Sequence, residues 1–531
     1  MVSEIRQGLV DHVRKPRDLM CRSSDHPPME LDQDAAYRAF TMKDARFDGR
    51  IFGAVRTTGI YCRPVCPART PRYENICFYP SAAAAQEAGF RPCLRCRPET
   101  SPDLGSWNGT SNTVSRALAL IEQGAMDHGD VEALADRLGV GERQLRRLFK
   151  QHLGASPVAV AQTRRVLLAK QLIHETRMPM GEVALAAGFG SVRRFNETFQ
   201  QLFERPPIAL RRGAGAENAA ADGGSISLKM PYRAPYDWDA MLAFLTLRAV
   251  PGVERIQGQT YSRTLSVGGC SGLVSVEPGA GDWLKLTLNF PKVQVWPDVI
   301  ARVRRVFDLA ADPALIAAHL SEDPDLAPLV AQRPGLRAPG AWDGFELAVR
   351  AVLGQQISVV GARSLAGKIT ALYGQPTPNA AAQAMGLTHL FPTPADLAAA
   401  DPECLSMPRV RGRSLIALAA MAAADPDLFG PRRSLDEAVK RLVALPGIGE
   451  WTAQYIAMRA MREPDAFPHA DLGLMRAFED EAGNRPSPVE LLARAEAWRP
   501  WRAYAASHLW ASYVPTPPRS RKDKIHDADA A

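Results

Sequence analysis

No run among the 531 residues stays apolar for the roughly 18 positions that a membrane helix needs, so no membrane partner is expected. The first stretch, MVSEIRQGLVDHVRKPRD, carries acids and has no apolar centre. It does not read as a secretory signal, and a cytoplasmic chain is expected. Cysteine is scarce and unevenly spread. Cys62, Cys66, Cys77, Cys93 and Cys96 share one short window, while Cys21, Cys270 and Cys404 are scattered. In a reducing compartment such a cluster reads as metal or catalysis rather than disulfides. No cysteine follows Cys404, which excludes a four-cysteine iron–sulfur cluster near the C-terminus. What is abundant is arginine: the net charge of +7 leans toward a polyanionic partner.

The length is too great for one hydrophobic core, and roughly three or four domains are expected. Residues 1–34 are polar and unpatterned and are expected to be a disordered extension, with Met29 as a second candidate start. Residues 35–100 form a small module rich in Cys and Arg. PETSPDLGSWNGTSN, 98–112, reads as a linker, and 113–212 show helical periodicity. Residues 213–224, inside RRGAGAENAAADGGS, read as a flexible second linker. SISLKM, RTLSVGG, SGLVSVEP and DWLKLTLNF then look like short strands between turns, so 225–307 is expected to be β-rich. Helices return from about 299, and 308–514 is expected to be α-helical, with a disordered tail at 515–531.

The cysteines pair as Cys62-x3-Cys66 and Cys93-x2-Cys96, separated by 26 residues. Two close pairs of thiolates suit one tetrahedral zinc per chain, with Cys77 better read as a buried strand residue. Spacing alone leaves a purely structural zinc ribbon open. GAVRTTGIYCRPVCPART and FYPSAAAAQEAGFRPCLRC resemble the zinc domain of the Ada family of methyl phosphotriester repair proteins. The resemblance implies that Cys62 also accepts a methyl group from the DNA backbone. Arg56, Arg63, Arg69, Arg72, Arg91, Arg95 and Arg97 would then grip neighbouring phosphates.

VEALADRLGVGERQLRRLFKQHLG and GEVALAAGFGSVRRFNETFQQLF each place apolar residues at helical spacing around a glycine turn, Gly139-Val140 and Gly188-Phe189. Phe195, Phe199 and Phe203 read as core. Two such units about 50 residues apart resemble the tandem helix-turn-helix domain of the AraC family. The resemblance implies promoter DNA as a partner, RNA polymerase as a further one, and DNA contacts from Arg143, Gln144, Arg146, Arg147, Lys150, Arg193, Arg194 and Asn196. The family usually has glycine after the last phenylalanine, where this chain has Glu204.

LPGIGEWTAQYIAMR, 445–459, has the form of a helix–hairpin–helix. Gly447 and Gly449 permit a tight turn whose amides can face a phosphate, with a monovalent cation there as a further expectation. Asp471 follows 20 residues after Trp451, in FPHADLGLMRAF, where it also suits a helix N-cap. Hairpin plus aspartate resembles the helix–hairpin–helix DNA glycosylases, which implies that Asp471 stabilises an oxocarbenium-like sugar and helps activate water. Bifunctional members carry a lysine where this chain has Trp451, so hydrolysis without strand cleavage is implied. MPYRAPYDWDAMLAFLTLRAV, RPGLRAPGAWDGFELAVRAVLGQQIS, FPTPADLAAADPE and WRPWRAYAASHLW resemble the AlkA family of alkyladenine glycosylases. That implies a pocket for alkylated purines from Trp451, Tyr455, Trp510 and Phe244, with core packing open for Tyr455 and Phe244. It also implies a wedge from GQQIS, for which Gln356, with Gln355 beside it, is the candidate.

The expected chain is therefore multidomain: a small α+β zinc domain, an all-α tandem helix-turn-helix, and an α+β glycosylase with an antiparallel-sheet subdomain and an α-helical hairpin-bearing one. Alkylated duplex DNA is the expected substrate. A transcription regulator whose C-terminal half only recognises lesions is the alternative, against which Asp471 argues, because a pure reader needs no carboxylate. The Pro-Cys-His-Arg motif of O6-alkylguanine methyltransferases is absent.

Overall fold

The computed structural model describes residues 32–102, 112–211, 225–430, 432 and 434–512. Most of the expected extension, the linker at 213–224 and the tail at 515–531 lie outside the described residues. Two expected boundaries shift. Helix Gln33–Thr41 starts inside the expected extension, because the Asp32 carboxylate caps it by accepting from Asp34 N and Ala35 N. Of the linker expected at 98–112, residues 98–102 instead pack inward, with Glu99 and Ser101 buried.

The first module is a four-stranded sheet of β1 (Phe52–Val55), β2 (Ile60–Cys62), β3 (Ile76–Tyr79) and β4 (Arg91–Pro92), in the order β3-β1-β2-β4. Strand alternation divides its side chains between two small cores. Ile76 and Phe78 pack on Phe40 of the first helix, while Cys77 and Tyr79 face the other side with Ala54 and Tyr61. Cys77 is thus the strand residue its neighbours suggest. The parallel pairing of β2 with β4 brings the ends of both strands, and so both cysteine pairs, to one place.

Each helix-turn-helix forms as its pattern implies. Val131–Leu138 and Glu142–Leu153 flank Gly139, at φ 65°, and Met180–Ala186 and Val192–Phe203 flank Gly188, at φ 83°. The 19-residue helix Pro157–Glu175 joins the two units. Phe195, Phe199 and Phe203 are at most 4% exposed, so each contributes about 1.5–3 kcal/mol of burial. At the end of Val192–Phe203 the chain turns through Glu204 in the left-handed region, φ 57°, where glycine is usual.

The second sheet is antiparallel throughout: β5 (Ile226–Pro231), β6 (Glu254–Gln257), β7 (Thr260–Val267), β8 (Cys270–Pro278) and β9 (Trp283–Asn289), in the order β5-β9-β8-β7-β6. In β9, Leu284, Leu286 and Leu288 are buried and the residues between them are not. β7 is buried almost continuously, and its Tyr261 and Leu265 share a core with Phe307 and Trp342. Arg263 of β7 binds Glu346 of helix Gly344–Leu353 at 2.9 Å. A largely helical body follows, and among the described residues no helix is long and apolar enough to cross a membrane.

The regions expected as separate domains share packing. One core runs from Val166, in the joining helix, through the second helix-turn-helix and the sheet to Trp342. Lys170 of the joining helix is fully buried and donates to Glu99 (2.5 Å) and to the Cys93 carbonyl (2.8 Å) of the cysteine module. Arg116, in helix Asn112–Glu122, makes a buried ion pair with Glu463, 347 residues away, at 2.5 Å. Arg50 and Arg233 converge on Asp312 from the first module and from the loop after β5.

Candidate active site, thiol cluster and DNA-facing helices

Helices Leu435–Val443 and Glu450–Arg459 are joined by Leu445-Pro446-Gly447-Ile448-Gly449. Leu445 and Ile448 are buried and anchor the turn. Gly447 has φ 75°, and a Cβ there would lie 2.8 Å from the Ser414 side chain, so position and crowding both demand glycine. Gly449 is the N-cap of Glu450–Arg459 and a Cβ there would meet open space. The second helix therefore presents its unfilled N-terminal amides outward, as a phosphate site requires.

That same helix carries Trp451, Tyr455 and Arg459 at four-residue spacing, hence on one face. The Trp451 and Tyr455 rings stack, centroids 5.4 Å apart and planes 10° off parallel, and Trp510 meets Tyr455 edge-on at 6.3 Å. Asp471 stands beside them as N-cap of Leu472–Arg476, accepting from Leu474 N at 3.1 Å. Its Oδ1 also accepts from Trp510 Nε1 (3.0 Å), and its Oδ2 from Trp451 Nε1 (2.8 Å). Capping and display of the carboxylate are thus combined in one residue. Phe244, Trp451, Tyr455, Asp471 and Trp510 all line one cavity of about 570 Å³.

The two glutamines expected as the wedge, Gln355 and Gln356, lie outside the cavity lining. The Gln355 amide donates to the Gly447 carbonyl (2.9 Å) and to Thr452 Oγ1 (3.3 Å), so it braces the hairpin instead of facing a base. Gln356 is exposed at φ 60° and accepts from Arg411 at 3.3 Å. Ile357 and Val359, both large and exposed, border the cavity next to them. The lining also holds arginines that were not expected, among them Arg248, four positions after Phe244, and Arg459, four after Tyr455. The helical spacing that groups the aromatics also carried this signal. The Arg248 guanidinium lies 3.8 Å from the Phe244 ring centroid, and Arg459 donates to the Tyr455 hydroxyl. Burial alone would raise the Tyr455 phenol, but Arg459 and Arg248 outweigh it and hold the group below its usual range.

In the first module, ligand atoms of Cys62, Cys66, Cys93 and Cys96 all lie within 4.8 Å of one another. Four thiolates on a tetrahedron of about 2.3 Å bonds would sit at comparable separations, so the donor set fits one zinc. Cys66, Cys93 and Cys96 are buried, and Cys62 is the most exposed. Backbone N–H groups of Arg95 and Arg63 point at the sulfurs of Cys93 (3.3 Å) and Cys96 (3.4 Å). Arg63 is not the phosphate-gripping residue expected. Its guanidinium is held by both Asp48 oxygens, Thr100 and the Cys96 carbonyl. Arg97 is likewise engaged, by Glu99 and Glu175. Arg69, Arg72 and Arg95 are exposed.

On the first recognition helix Arg143, Gln144, Arg146, Arg147 and Lys150 are exposed, and on the second Arg193, Arg194 and Asn196 are. Arg146 and Arg193 pair only with exposed glutamates one turn away, Glu142 and Glu197. Such contacts are weak enough to exchange for phosphates.

Comparison with known proteins finds three family profiles along the chain. A profile of the metal binding domain of Ada matches residues 35–99, one of a helix-turn-helix domain 134–213, and one of the AlkA N-terminal domain 227–343. A probable bifunctional transcriptional activator/DNA repair enzyme AlkA of Mycobacterium tuberculosis is 43% identical over 484 residues, covering 91% of this chain and 97% of that one. DNA-3-methyladenine glycosylase 2 of Escherichia coli is 37% identical over 283 residues, 52% of this chain and 95% of that one. The bifunctional transcriptional activator/DNA repair enzyme Ada of the same organism is 39% identical over 135 residues, 25% of this chain and 37% of that one.

Proposed function

Because the chain belongs to the family of bifunctional AlkA transcriptional activators and DNA repair enzymes, we propose that it repairs alkylated DNA twice over and reports the damage to the transcription machinery. The C-terminal half is a glycosylase for alkylated purines such as 3-methyladenine. The observation that carries this reading is the Asp471 carboxylate, fixed by two indole N–H groups at the wall of an aromatic cavity beside the hairpin. The hairpin amides hold the DNA backbone, and its carbonyls are the place for a monovalent cation. A flipped, electron-poor base stacks against Trp451, Tyr455, Trp510 and Phe244. As the glycosidic bond breaks, its electron pair leaves with the base and Asp471 stabilises the positive sugar. Water then bonds to the anomeric carbon and gives its proton to that carboxylate. Trp451 occupies the position a Schiff-base lysine would need, so the reaction ends at the abasic site.

The cysteine module accepts a methyl group from a backbone phosphotriester, once per chain. Zinc, when bound, keeps the four thiols deprotonated while leaving them nucleophilic. Cys62 is the acceptor because it is the most exposed of the four and because backbone N–H groups point at the sulfurs of Cys66, Cys93 and Cys96. Methylation removes one negative charge near DNA, so phosphate contacts tighten. The exposed arginines of the two recognition helices read the promoter, and RNA polymerase is the partner of the bound activator.

Methylated duplex DNA tests the glycosylase reading directly. Free 3-methyladenine should appear, the abasic strand should stay uncut, and borohydride should trap no protein on it. A trapped adduct would require an imine and would overturn the assignment.

A further inference from the structure

The buried ion pair of Arg116 with Glu463 joins the helix-turn-helix region to the frame of the glycosylase site. Arg116 Nε and Nη2 both donate to one Glu463 oxygen, at 2.9 and 2.5 Å, and the two side chains are 6% and 5% exposed. Among the described residues Glu463 has no other ion-pair partner. Arg302, Arg304, Arg305 and Asp343, and Glu122 of the helix that carries Arg116, line the same interdomain cavity without pairing with Glu463, while Arg137 there pairs with Asp427. On the segment of Glu463 itself, Arg462 is held by Asp308, and Asp465 by Arg499 and Arg502.

This segment ties together the two helices that fix Asp471. Glu463 N donates to the Ala457 carbonyl (3.0 Å) and Phe467 N to the Gln454 side chain (3.1 Å), both on helix Glu450–Arg459, which carries Trp451. The Pro464 carbonyl accepts from Ala503 N and the Asp465 carbonyl from Arg502 Nε, each at 2.9 Å, both on helix Arg502–Ser512, which carries Trp510. The two indoles in turn hold the Asp471 carboxylate. A buried carboxylate stripped of its cation moves toward water or takes up a proton. Movement of Glu463 would pull on both helices at once, and about 1 Å of misplacement at a reacting group costs about a hundredfold in rate. We infer that Arg116 is a positioning residue of the glycosylase: from the helix-turn-helix region it neutralises Glu463 and so keeps in register the two helices whose indoles hold Asp471. The inference rests on the glycosylase reading of this site, and it makes base release depend on the regulatory half of the chain.

Burial raises the Glu463 carboxyl above its usual range, Arg116 partly offsets the rise, and Asp465 adds to it. Without Arg116 it rises further, so the harm is full where Glu463 is ionised and fades as pH falls and the carboxyl takes up a proton. Single-turnover release of 3-methyladenine from methylated duplex DNA by saturating full-length protein tests this. Arg116→Met should slow release by about a hundredfold at about pH 8.5 and by only a few-fold at about pH 6, with binding of the duplex changed by a few-fold. The double variant Arg116→Met with Glu463→Gln has no charge to bury and should release base within a few-fold of wild type at both pH values. It has lost the same packing as the single variant, so recovery assigns the effect to charge. A wild-type rate in Arg116→Met at both pH values, or equal slowing at both without recovery in the double variant, overturns the inference and leaves the glycosylase standing. Should Arg116→Met fail to fold, the double variant decides: folded and active it supports the inference, unfolded or slow it overturns it. No release by wild type at either pH overturns the glycosylase reading instead.

Discussion

Asparagine at position 471 would differ from aspartate by one charge and by turning one acceptor into a donor. Oδ1 accepts from both Leu474 N and Trp510 Nε1, at 3.1 and 3.0 Å, so the amide oxygen of the Asp471→Asn variant must stay there. Its NH2 then faces the Trp451 Nε1 donor, which now sits 2.8 Å from Oδ2. One hydrogen bond is lost and two donors oppose each other, at a cost of about 1–2 kcal/mol of stability. The chemical loss is larger. A unit charge about 4 Å from a sugar cation, in an effective dielectric of about 20, is worth about 4 kcal/mol, or about a thousandfold in rate. Single-turnover release of 3-methyladenine should fall by that factor, while a gel-shift with the same duplex changes by only a few-fold. A folded Asp471→Asn protein releasing base within about tenfold of wild type would refute the reasoning, since tenfold is worth only about 1.4 kcal/mol.

Metal analysis should find one zinc per chain, lost in Cys93→Ala and kept in Cys77→Ala, because Cys77 lies in a separate core on β3; equal loss from both would contradict the ligand set. Glu204→Gly should raise stability by about 1 kcal/mol in a denaturant titration, since φ at Glu204 is 57°, and a loss of stability would contradict the strain. His508 is 6% exposed, and burial pushes its imidazole down to about 4 from 6.5. The unfolded chain therefore takes up a proton at higher pH than the folded one. Stability is full above 6.5 and falls as pH drops toward 4, by up to about 3 kcal/mol. His508→Gln should flatten that part of a melting-temperature profile; an unchanged slope would exclude this histidine.

Patterns local to the chain were legible. The short runs SISLKM, RTLSVGG, SGLVSVEP and DWLKLTLNF between turns mark β5, β7, β8 and β9, but β6, four residues ending at the Gly258 turn, is too short to stand out. The glycine turns, the hairpin, the paired cysteines and the aromatic face of Glu450–Arg459 were equally visible, because each rests on spacing within a single element. Long-range pairing was not. Lys170 with Glu99, and Arg116 with Glu463, read in sequence as ordinary surface charges, and only the fold brings them together and buries them. The same blindness misassigned Arg63: an arginine beside a zinc-binding cysteine looks alike whether it faces a phosphate or Asp48. The order of Gln355 and Gln356 in the chain does not show which way each side chain points. The left-handed turn at Gln356 separates them, one bracing the hairpin and one exposed.

The central claim is that one chain both releases alkylated bases and captures methyl groups from the DNA backbone. Duplex DNA bearing labelled methyl groups, incubated with excess wild-type protein, tests both at once. Labelled 3-methyladenine should appear free in solution. Labelled methyl should also remain on the protein at no more than one per chain, in the peptide containing Cys62. Label on Cys66, Cys93 or Cys96 instead, or the appearance of only one of the two products, would contradict the account.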